Sequence, residues 1–248
     1  DCAEIVVVDD GSTDDSPRIA AESGARVAVH PFASFADQRN WAMDQAGLRH
    51  DWVLHLDADE VLTPEGLAEI RRRLPALESG AVGQLARKVM LGDKWLKHSA
   101  DYPVYVPRLV HRRGPRYAMR GHGETLATGP GSSVYFDEPL LHYNFSKGWA
   151  EWRARHLRYA AAEAARIRSG GVGLSPRALF ARDRSLRRAA LRALSYRLPG
   201  RPALRLFYAY VLRLGFLDGA AGWRFCREMA GYERMIDAAL HKPDPSRP

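Results

Sequence analysis

Two clusters of acidic residues stand where short apolar segments end, and they are the residues best suited to chemistry in this chain. Asp9 and Asp10 directly follow a run of three valines, and Asp57 and Asp59 follow the mostly apolar segment 52–56. Neighbouring carboxylates repel one another, and a divalent cation offsets that repulsion. Mg²⁺ typically takes one or two protein carboxylates and completes its shell with phosphate and water. The clusters therefore predict Mg²⁺ or Mn²⁺ bound together with a diphosphate.

The second cluster reads Asp-Ala-Asp, and this spacing supports the prediction. Side chains alternate between the two faces of an extended segment, so the two carboxylates lie on the same side. The alternative is structural: Asp9 and Asp10 would cap the next helix, and residues 57–60 would form a solvated loop. The recurrence of one pattern at two strand ends favours the functional interpretation.

Other ligand-binding patterns are excluded by their spacing. Gly11 comes too early for the calcium loop of an EF-hand, and no Glu stands at the required offset. The phosphate-binding pattern GxxxxGK[ST] does not occur, and Gly171-Val172-Gly173 lacks the third glycine of a dinucleotide-binding fingerprint.

Apolar segments alternate with helical patterns through about residue 74, which predicts an open α/β sheet. Strands are expected at 4–9, 25–29 and 52–56, and helices at 14–23, at 35–46 and from Thr63 onward. Continuous apolar runs are typical of strands buried on both faces, so we expect a mostly parallel sheet flanked by helices. Ligands gather at the carboxyl ends of the strands in such sheets, which is where both acidic clusters stand.

The second half of the chain is predicted to be mainly helical. Weaker strand patterns occupy 104–111 and 133–141, and helical patterns follow at 149–169, 176–198, 203–216 and 221–240. We therefore expect one domain over residues 1–148 and a basic helical region over residues 149–248.

Charge is unevenly distributed along the chain. The formal net charge of the 248 residues is +8, with 17 Lys/Arg and 21 Asp/Glu in residues 1–150 and 20 and 8 in residues 151–248. A basic second part predicts an anionic partner: a nucleic acid, a lipid headgroup surface or a phosphorylated substrate. The hydrophobic content of 46% is enough for a packed core and argues against disorder.

Two further features bear on location. The chain has only two cysteines, Cys2 and Cys226, in no metal-binding spacing, which favours a reducing compartment. No apolar run approaches the roughly 20 residues that a membrane-spanning helix needs. These features predict a cytoplasmic protein.

Several segments together resemble family 2 glycosyltransferases with the GT-A fold. The segments are EIVVVDDGSTDDS, FADQRNWAMDQA and DWVLHLDADE, followed by YPVYVPRLVHRR, RGHGE and LLHYNFSKGWAEW. They are most similar to the bacterial subgroup that includes the lipopolysaccharide core β-glucosyltransferases. Members of the family begin with a further strand before the first of these segments, so the resemblance also implies that the first strand is missing.

The resemblance implies an inverting enzyme that moves a sugar from a nucleotide diphosphate donor, expected to be UDP-linked. The acceptor would be a saccharide or a lipid-linked molecule of bacterial cell-surface polysaccharide or lipopolysaccharide synthesis. By this resemblance Asp9 and Asp10 hold the nucleotide, and Arg39 orders the acids around it. Asp57 faces the ribose or the metal, and Asp59 binds the metal.

The resemblance and the chemistry also suggest which residues move the proton and meet the phosphates. Inverting transfer needs a base to deprotonate the acceptor hydroxyl, and Glu124 is the candidate, with His122 as its neighbour. His142 follows an apolar segment and is a candidate contact of the metal or the diphosphate. Lys147 and Arg108 are further candidates for neutralising phosphate.

The basic helices suggest a location at a membrane. Arginines such as Arg182, Arg187 and Arg197 nearly ring one helix, which suits an anionic membrane surface and predicts a peripheral position at the inner face of a bacterial membrane. Two alternatives stay open: a catalytically impaired scaffold with the same fold, or a basic protein that binds nucleic acid. No nucleic acid is expected as a partner, because no RNA-recognition, zinc-finger or helix-turn-helix signature occurs.

Overall fold

The computed structural model of the chain describes residues 2–120, 123–126, 132–169, 176–196 and 200–241. These residues form two compact units. The first unit takes in the described residues of 1–87 and 103–142, and the second takes in those of 88–102 and 143–248.

The elements of the described residues follow one another in this order along the chain. The strands are β1 (Val6–Asp9), β2 (Arg26–Val29), β3 (Trp52–Leu54), β4 (Glu60–Leu62), β5 (Val82–Leu91), β6 (Lys94–Trp95), β7 (Tyr105–His111), β8 (Tyr117–Arg120), β9 (Gly123–Leu126), β10 (Ser133–Tyr135) and β11 (Leu140–His142). The α-helices are α1 (Ser16–Glu22), α2 (Phe35–Gln45), α3 (Pro64–Arg73), α4 (Gly148–Arg168), α5 (Arg184–Ser195), α6 (Arg201–Phe207) and α7 (Gly219–His241).

Local sequence signals account for two helix starts in the first unit. The Ser34 hydroxyl accepts a hydrogen bond of 3.1 Å from the Asp37 amide at the start of α2. Thr63 does the same for the Gly66 amide at 3.1 Å, and Pro64 occupies the first position of α3. Pro fits this position because the amide it lacks would have no partner within the helix. Both predicted helices are therefore confirmed.

The strands of the first unit pair in both directions. β1 pairs with β2 in parallel, and β10 pairs with β5 in parallel. The larger sheet has the order β3-β7-β5-β11-β4, and within it β3–β7, β5–β7 and β4–β11 are antiparallel. The α/β class is confirmed, and the sheet is mixed rather than mostly parallel. Strands that follow one another through short connections pair antiparallel, and no α-helix separates the strands in the described residues between Arg73 and Leu140. The parallel partners β5 and β10 are joined instead through β6 to β9.

Apolar side chains from both faces of the sheet form the core of the first unit. One cluster joins α3 to the strands through Ile70, Leu85, Leu109 and Leu140. A second cluster packs α2 on β5, β7 and β8, with Met43 against Val110 and Tyr117 among its members. The second cluster fixes α2 beside the end of β3, where the acidic residues follow.

The second unit is built mainly from helices, as predicted, with β6 paired against the last residues of β5. Its core contains Leu96, Trp152, Phe225 and Cys226. The helix predicted over 176–198 is instead a 3₁₀ helix at Pro176–Phe180 followed by α5. Asp183 interrupts it, because its side chain accepts a hydrogen bond from the Leu186 amide at the start of α5.

The helix predicted over 203–216 also divides. After α6 the chain makes a π-helical turn at Tyr208–Leu212 and a 3₁₀ helix at Gly215–Asp218. The buried Asp218 carboxylate accepts hydrogen bonds from the amides of His98 and Ser99 at 3.0 and 2.8 Å, which ties this turn to the loop after β6. Among the described helices, none is both long and apolar enough to cross a bilayer.

Candidate functional site

A buried ion pair lies at the centre of the acidic segment that follows β3. The Arg108 guanidinium, on β7, donates from Nε and Nη2 to the two carboxylate oxygens of Glu60 at 2.8 Å each. Both side chains are almost fully buried. A paired, doubly hydrogen-bonded geometry is the one in which a buried charge is tolerated, and removing one partner typically costs about 3–5 kcal/mol. This pair therefore holds the chain in place where β4 begins.

Asp57 is bound by two arginines. Arg39 Nη2, on α2, donates to Asp57 Oδ1 at 2.6 Å, and Arg108 Nη2 donates to Asp57 Oδ2 at 2.7 Å. Arg39 was predicted to order the acids of the site, and a hydrogen bond to Asp57 is a contact that this role requires. Because both Asp57 oxygens already accept charged hydrogen bonds, a metal that bound this carboxylate would have to displace an arginine.

Asp59 lies beside His142. His142 Nε2, at the end of β11, is 3.4 Å from Asp59 Oδ2. The Asp59 side chain is 25% exposed and that of His142 is 13% exposed, so a ligand can approach both from solvent. β11 pairs with β4 and places His142 directly opposite Glu60, which is how two residues far apart in sequence meet here.

Two further residues of this region were not identified from the sequence. His55, two positions before Asp57, is buried, and burial lowers the pKa of its ring to about 3, helped by the charges of Arg39 and Arg108. Arg87, on β5, is attracted by Glu60, Asp57 and Asp59, and burial lowers the pKa of its guanidinium. Arg87 Nε has no hydrogen-bond partner among the described residues.

A weak signal for Arg87 existed in the sequence. Arg87 interrupts the apolar strand segment 81–91 with a charge, and a charge inside a buried strand needs a partner or a ligand. His55 offered a similar signal, because it lies within the mostly apolar segment 52–56, which was predicted to be a buried strand.

Asp9 and Asp10 stand at the end of β1. The Asp9 carboxylate accepts hydrogen bonds from the amides of Gly11 and Ser12 at 2.9 Å each and from the Ser12 hydroxyl at 2.5 Å. These bonds lower the pKa of the Asp9 carboxyl, the Ser12 hydroxyl having the largest effect. Asp9 therefore closes the turn after β1, whereas Asp10 is exposed.

Helix α2 connects the ends of β1 and β3. The His30 amide donates to the Asp9 carbonyl at 2.8 Å, and the His30 ring lies 2.8 Å from the Asp37 carboxylate on α2. Two residues further along α2, Arg39 binds Asp57. The segment after β3 thus contacts α2 directly through Arg39, whereas the end of β1 is linked to α2 through His30.

The predicted base lies on a hairpin that packs on α2. Glu124 is on β9, directly opposite Met119 on β8, and its side chain is outside the described part of the structure. Asn40 on α2 holds β8 through two hydrogen bonds of 2.9 Å with the Tyr117 amide and carbonyl. His122 lies outside the described residues. Lys147 precedes α4 in the second unit.

Charges balance within the first unit's site. We call Arg39, Arg87, Arg108, Asp57, Asp59 and Glu60 the ion-pair cluster; it contains three guanidinium groups and three carboxylates. A divalent cation entering with a diphosphate adds little net charge to such a cluster, whereas either one alone would unbalance it.

The ion-pair cluster and His142 offer few donor atoms to a cation. No group of three or more His, Cys, Asp or Glu side chains in the described part of the chain could hold a metal by itself. Asp59 and His142 supply two donor atoms, and Mg²⁺ or Mn²⁺ needs no more from a protein when phosphate and water complete its shell. The donor set therefore fits a cation that binds together with its ligand.

The family model described as glycosyl transferase family 2 matches residues 3–139, which include β1, the ion-pair cluster and the β8–β9 hairpin.

Individual relatives are similar over shorter stretches. A glycosyltransferase of Rickettsia typhi is 43% identical over 67 residues, covering 27% of this chain and 22% of that protein. The lipopolysaccharide core biosynthesis glycosyltransferase LpsC of Rhizobium meliloti is 31% identical over 128 residues, covering 49% of this chain and 43% of that protein. A TPR repeat-containing protein of Synechococcus elongatus is 39% identical over 91 residues, covering 36% and 22%. The chain spans less than half the length of these relatives.

Proposed function

Because the chain belongs to glycosyltransferase family 2, whose GT-A class of fold agrees with the α/β first unit, we propose that it transfers a sugar with inversion from a nucleotide diphosphate donor. The donor is UDP-linked, and the acceptor is a saccharide or a lipid-linked molecule of bacterial cell-surface polysaccharide or lipopolysaccharide synthesis. The similarity to LpsC supports this acceptor class. The reaction takes place in the cytoplasm at the inner face of the membrane, and no nucleic acid takes part.

The observation that carries this proposal is the arrangement after β3. Asp59 and His142 present an oxygen and a nitrogen 3.4 Å apart, next to an Asp57 that two arginines already bind. In this proposal Asp59 and His142 hold Mg²⁺ or Mn²⁺, which supplies Lewis-acid stabilisation of the departing diphosphate. Asp57, oriented by Arg39 and Arg108, accepts a hydrogen bond from the ribose.

The remaining residues bind the donor and prepare the acceptor. The turn that Asp9 closes, together with the exposed Asp10, binds the nucleotide. Arg87 brings a further guanidinium next to Asp57 and Asp59, and it meets the diphosphate. Glu124 takes the proton from the acceptor hydroxyl as it attacks the anomeric carbon, and His122 orients it.

The test is release of UDP from a panel of UDP-sugars, measured with Mn²⁺ and with EDTA. Asp59→Asn and His142→Gln are expected to lower the Mn²⁺-dependent rate about 100-fold, since each removes a donor atom of the cation. Glu124→Gln is expected to spare donor binding and abolish transfer to an added acceptor. Asp15→Asn, which changes an exposed acid of the same unit, is the matched control.

An unchanged rate in Asp59→Asn would refute the assignment of the cation site. Transfer retained by Glu124→Gln would refute the assignment of the base. UDP release at the same rate in EDTA as in Mn²⁺ would refute metal dependence.

A further inference from the structure

An apolar stripe lies exposed on α6 and the π-helical turn that follows it. Its five members, separated by three or four positions in the manner of one helix face, are 42–62% exposed: Leu204, Phe207, Tyr208, Val211 and Leu212. Residues with this spacing are normally the ones that a helix buries against its own protein. Exposed apolar patches of this kind mark contact sites for a partner or a membrane.

The stripe is not a core face that happens to be loosely packed. The same segment buries a different face, because Leu206, Ala209 and Tyr210 pack in the core of the second unit around Phe225. The segment therefore has two apolar faces, of which the protein itself covers one.

A groove with a basic rim lies between α6 and α7. It is an open cavity of about 480 Å³ between α6 and α7, and Pro202, Ala203, Leu206 and Trp223 form its apolar wall. Arg227 and Arg234 line it from α7, and both are exposed. They are seven positions apart, which places them two turns apart on one helix face.

The charge of Arg227 helps to lower the pKa of the Glu228 carboxyl. Two other arginines nearby form ion pairs. Arg201 binds Glu233 and Asp237, and Arg213 binds Asp101. Within the part of the chain that the structure describes, no carboxylate lies within ion-pair distance of Arg227 or Arg234.

We propose that the stripe and groove form a docking surface for an anionic lipid bilayer. The apolar stripe enters the region between the headgroups and the acyl chains, and Arg227 and Arg234 bind lipid phosphates at the headgroup level. This placement assigns the contact to α6 and α7, whereas the sequence pattern pointed to the arginines of α5. It extends the membrane location proposed above and does not depend on the transfer reaction.

Charge decides between a bilayer and a second copy of the chain. Residues 151–248 carry 20 Lys/Arg and 8 Asp/Glu, so the net charges of two copies of this part of the chain repel one another. An anionic bilayer attracts the same charges and accepts the apolar stripe.

The test is co-sedimentation of the full chain with vesicles of phosphatidylcholine alone or with 30% phosphatidylglycerol, which requires no donor or turnover. We expect binding to the anionic vesicles only. Phe207→Ser with Leu212→Ser should weaken it by about tenfold or more, since both lose apolar burial. Arg227→Gln with Arg234→Gln should weaken it by about fivefold per arginine.

Matched controls are Leu157→Ser, an exposed leucine on α4, and Arg187→Gln, an exposed arginine on α5. Both should bind like the unaltered chain, and circular dichroism checks that every variant is folded. The proposal would be overturned if Arg187→Gln lost as much vesicle binding as Arg227→Gln with Arg234→Gln. It would also be overturned if that groove double variant bound vesicles as well as the unaltered chain. A third result would also overturn it: the chain binds no vesicles, light scattering shows a dimer, and the double variant Phe207→Ser with Leu212→Ser dissociates that dimer.

Discussion

The two carboxylates of the Asp-Ala-Asp segment have identical chemistry and different surroundings. Asp57 accepts charged hydrogen bonds from Arg39 and Arg108, whereas Asp59 lies beside His142. Surroundings set which carboxylate is available to a cation, because a carboxylate bound by two guanidinium groups would have to give up one of them. At the scale of single residues, the assignment of roles therefore follows from the partners of each acid.

His55 makes stability depend on pH. Burial keeps its ring neutral in the folded protein, where its pKa is about 3, and the unfolded chain binds a proton near the ordinary value of 6.5. The stabilising effect is fully present above pH 6.5 and is lost as the pH falls from 6.5 towards 3. The loss at pH 5 amounts to about 2 kcal/mol. Urea denaturation at pH 7.5 and pH 5 measures it.

The variant His55→Phe separates this effect from others. Phe keeps a ring against Tyr117 and cannot bind a proton, so about 2 kcal/mol of the acid sensitivity should disappear. The exposed His50→Phe is the control and should keep the dependence of the unaltered chain. Equal acid sensitivity in His55→Phe and the unaltered chain would contradict this explanation.

Among the elements, α2 organises the site. It contacts the end of β2 through Asp37, the segment after β3 through Arg39 and the β8–β9 hairpin through Asn40. Its own position is fixed by Met43 in the core. One helix thus contacts the residue after β2, the acidic segment and the hairpin that carries the predicted base.

Removing the Asn40 side chain should therefore affect transfer more than donor binding. Asn40→Ala deletes both hydrogen bonds to the Tyr117 backbone and loosens the hairpin that carries Glu124. We expect kcat for transfer to fall about 10- to 100-fold because the base is misplaced, with the donor Kd within about twofold. Transfer kinetics and calorimetry measure the two quantities.

Gln45→Ala, an exposed amide at the end of the same helix, is the control and should leave both quantities unchanged. A donor Kd that rises as much as kcat falls would show instead that Asn40 supports the nucleotide side of the site.

Elements with local signals were predictable and those set by distant contacts were not. The starts of α2 and α3 follow from Ser34, Thr63 and Pro64, which act on their immediate neighbours. The antiparallel pairing of β11 with β4 depends on residues about 80 positions apart, and no local pattern specifies it. The same reason hides the contact of His142 with Asp59, although both residues were candidates individually.

At the scale of the whole molecule, composition and fold divide the chain in a similar way. The acidic residues of the candidate site lie in the first unit, and the arginines of α7 that line the groove lie in the second. The family match covers residues 3–139 and ends within the first unit. Charge asymmetry was readable from the sequence, whereas the exposed stripe on α6 was not, because its spacing equals that of a buried helix face.

Calorimetric titration of UDP and of UMP, each with and without Mn²⁺, tests the central claim most directly. If Asp59 and His142 hold a cation that binds the diphosphate, Mn²⁺ should strengthen UDP binding at least about tenfold and change UMP binding little. Asp59→Asn should remove the effect of Mn²⁺ on UDP. UDP affinity that is the same with and without Mn²⁺, and the same in Asp59→Asn, would contradict the account.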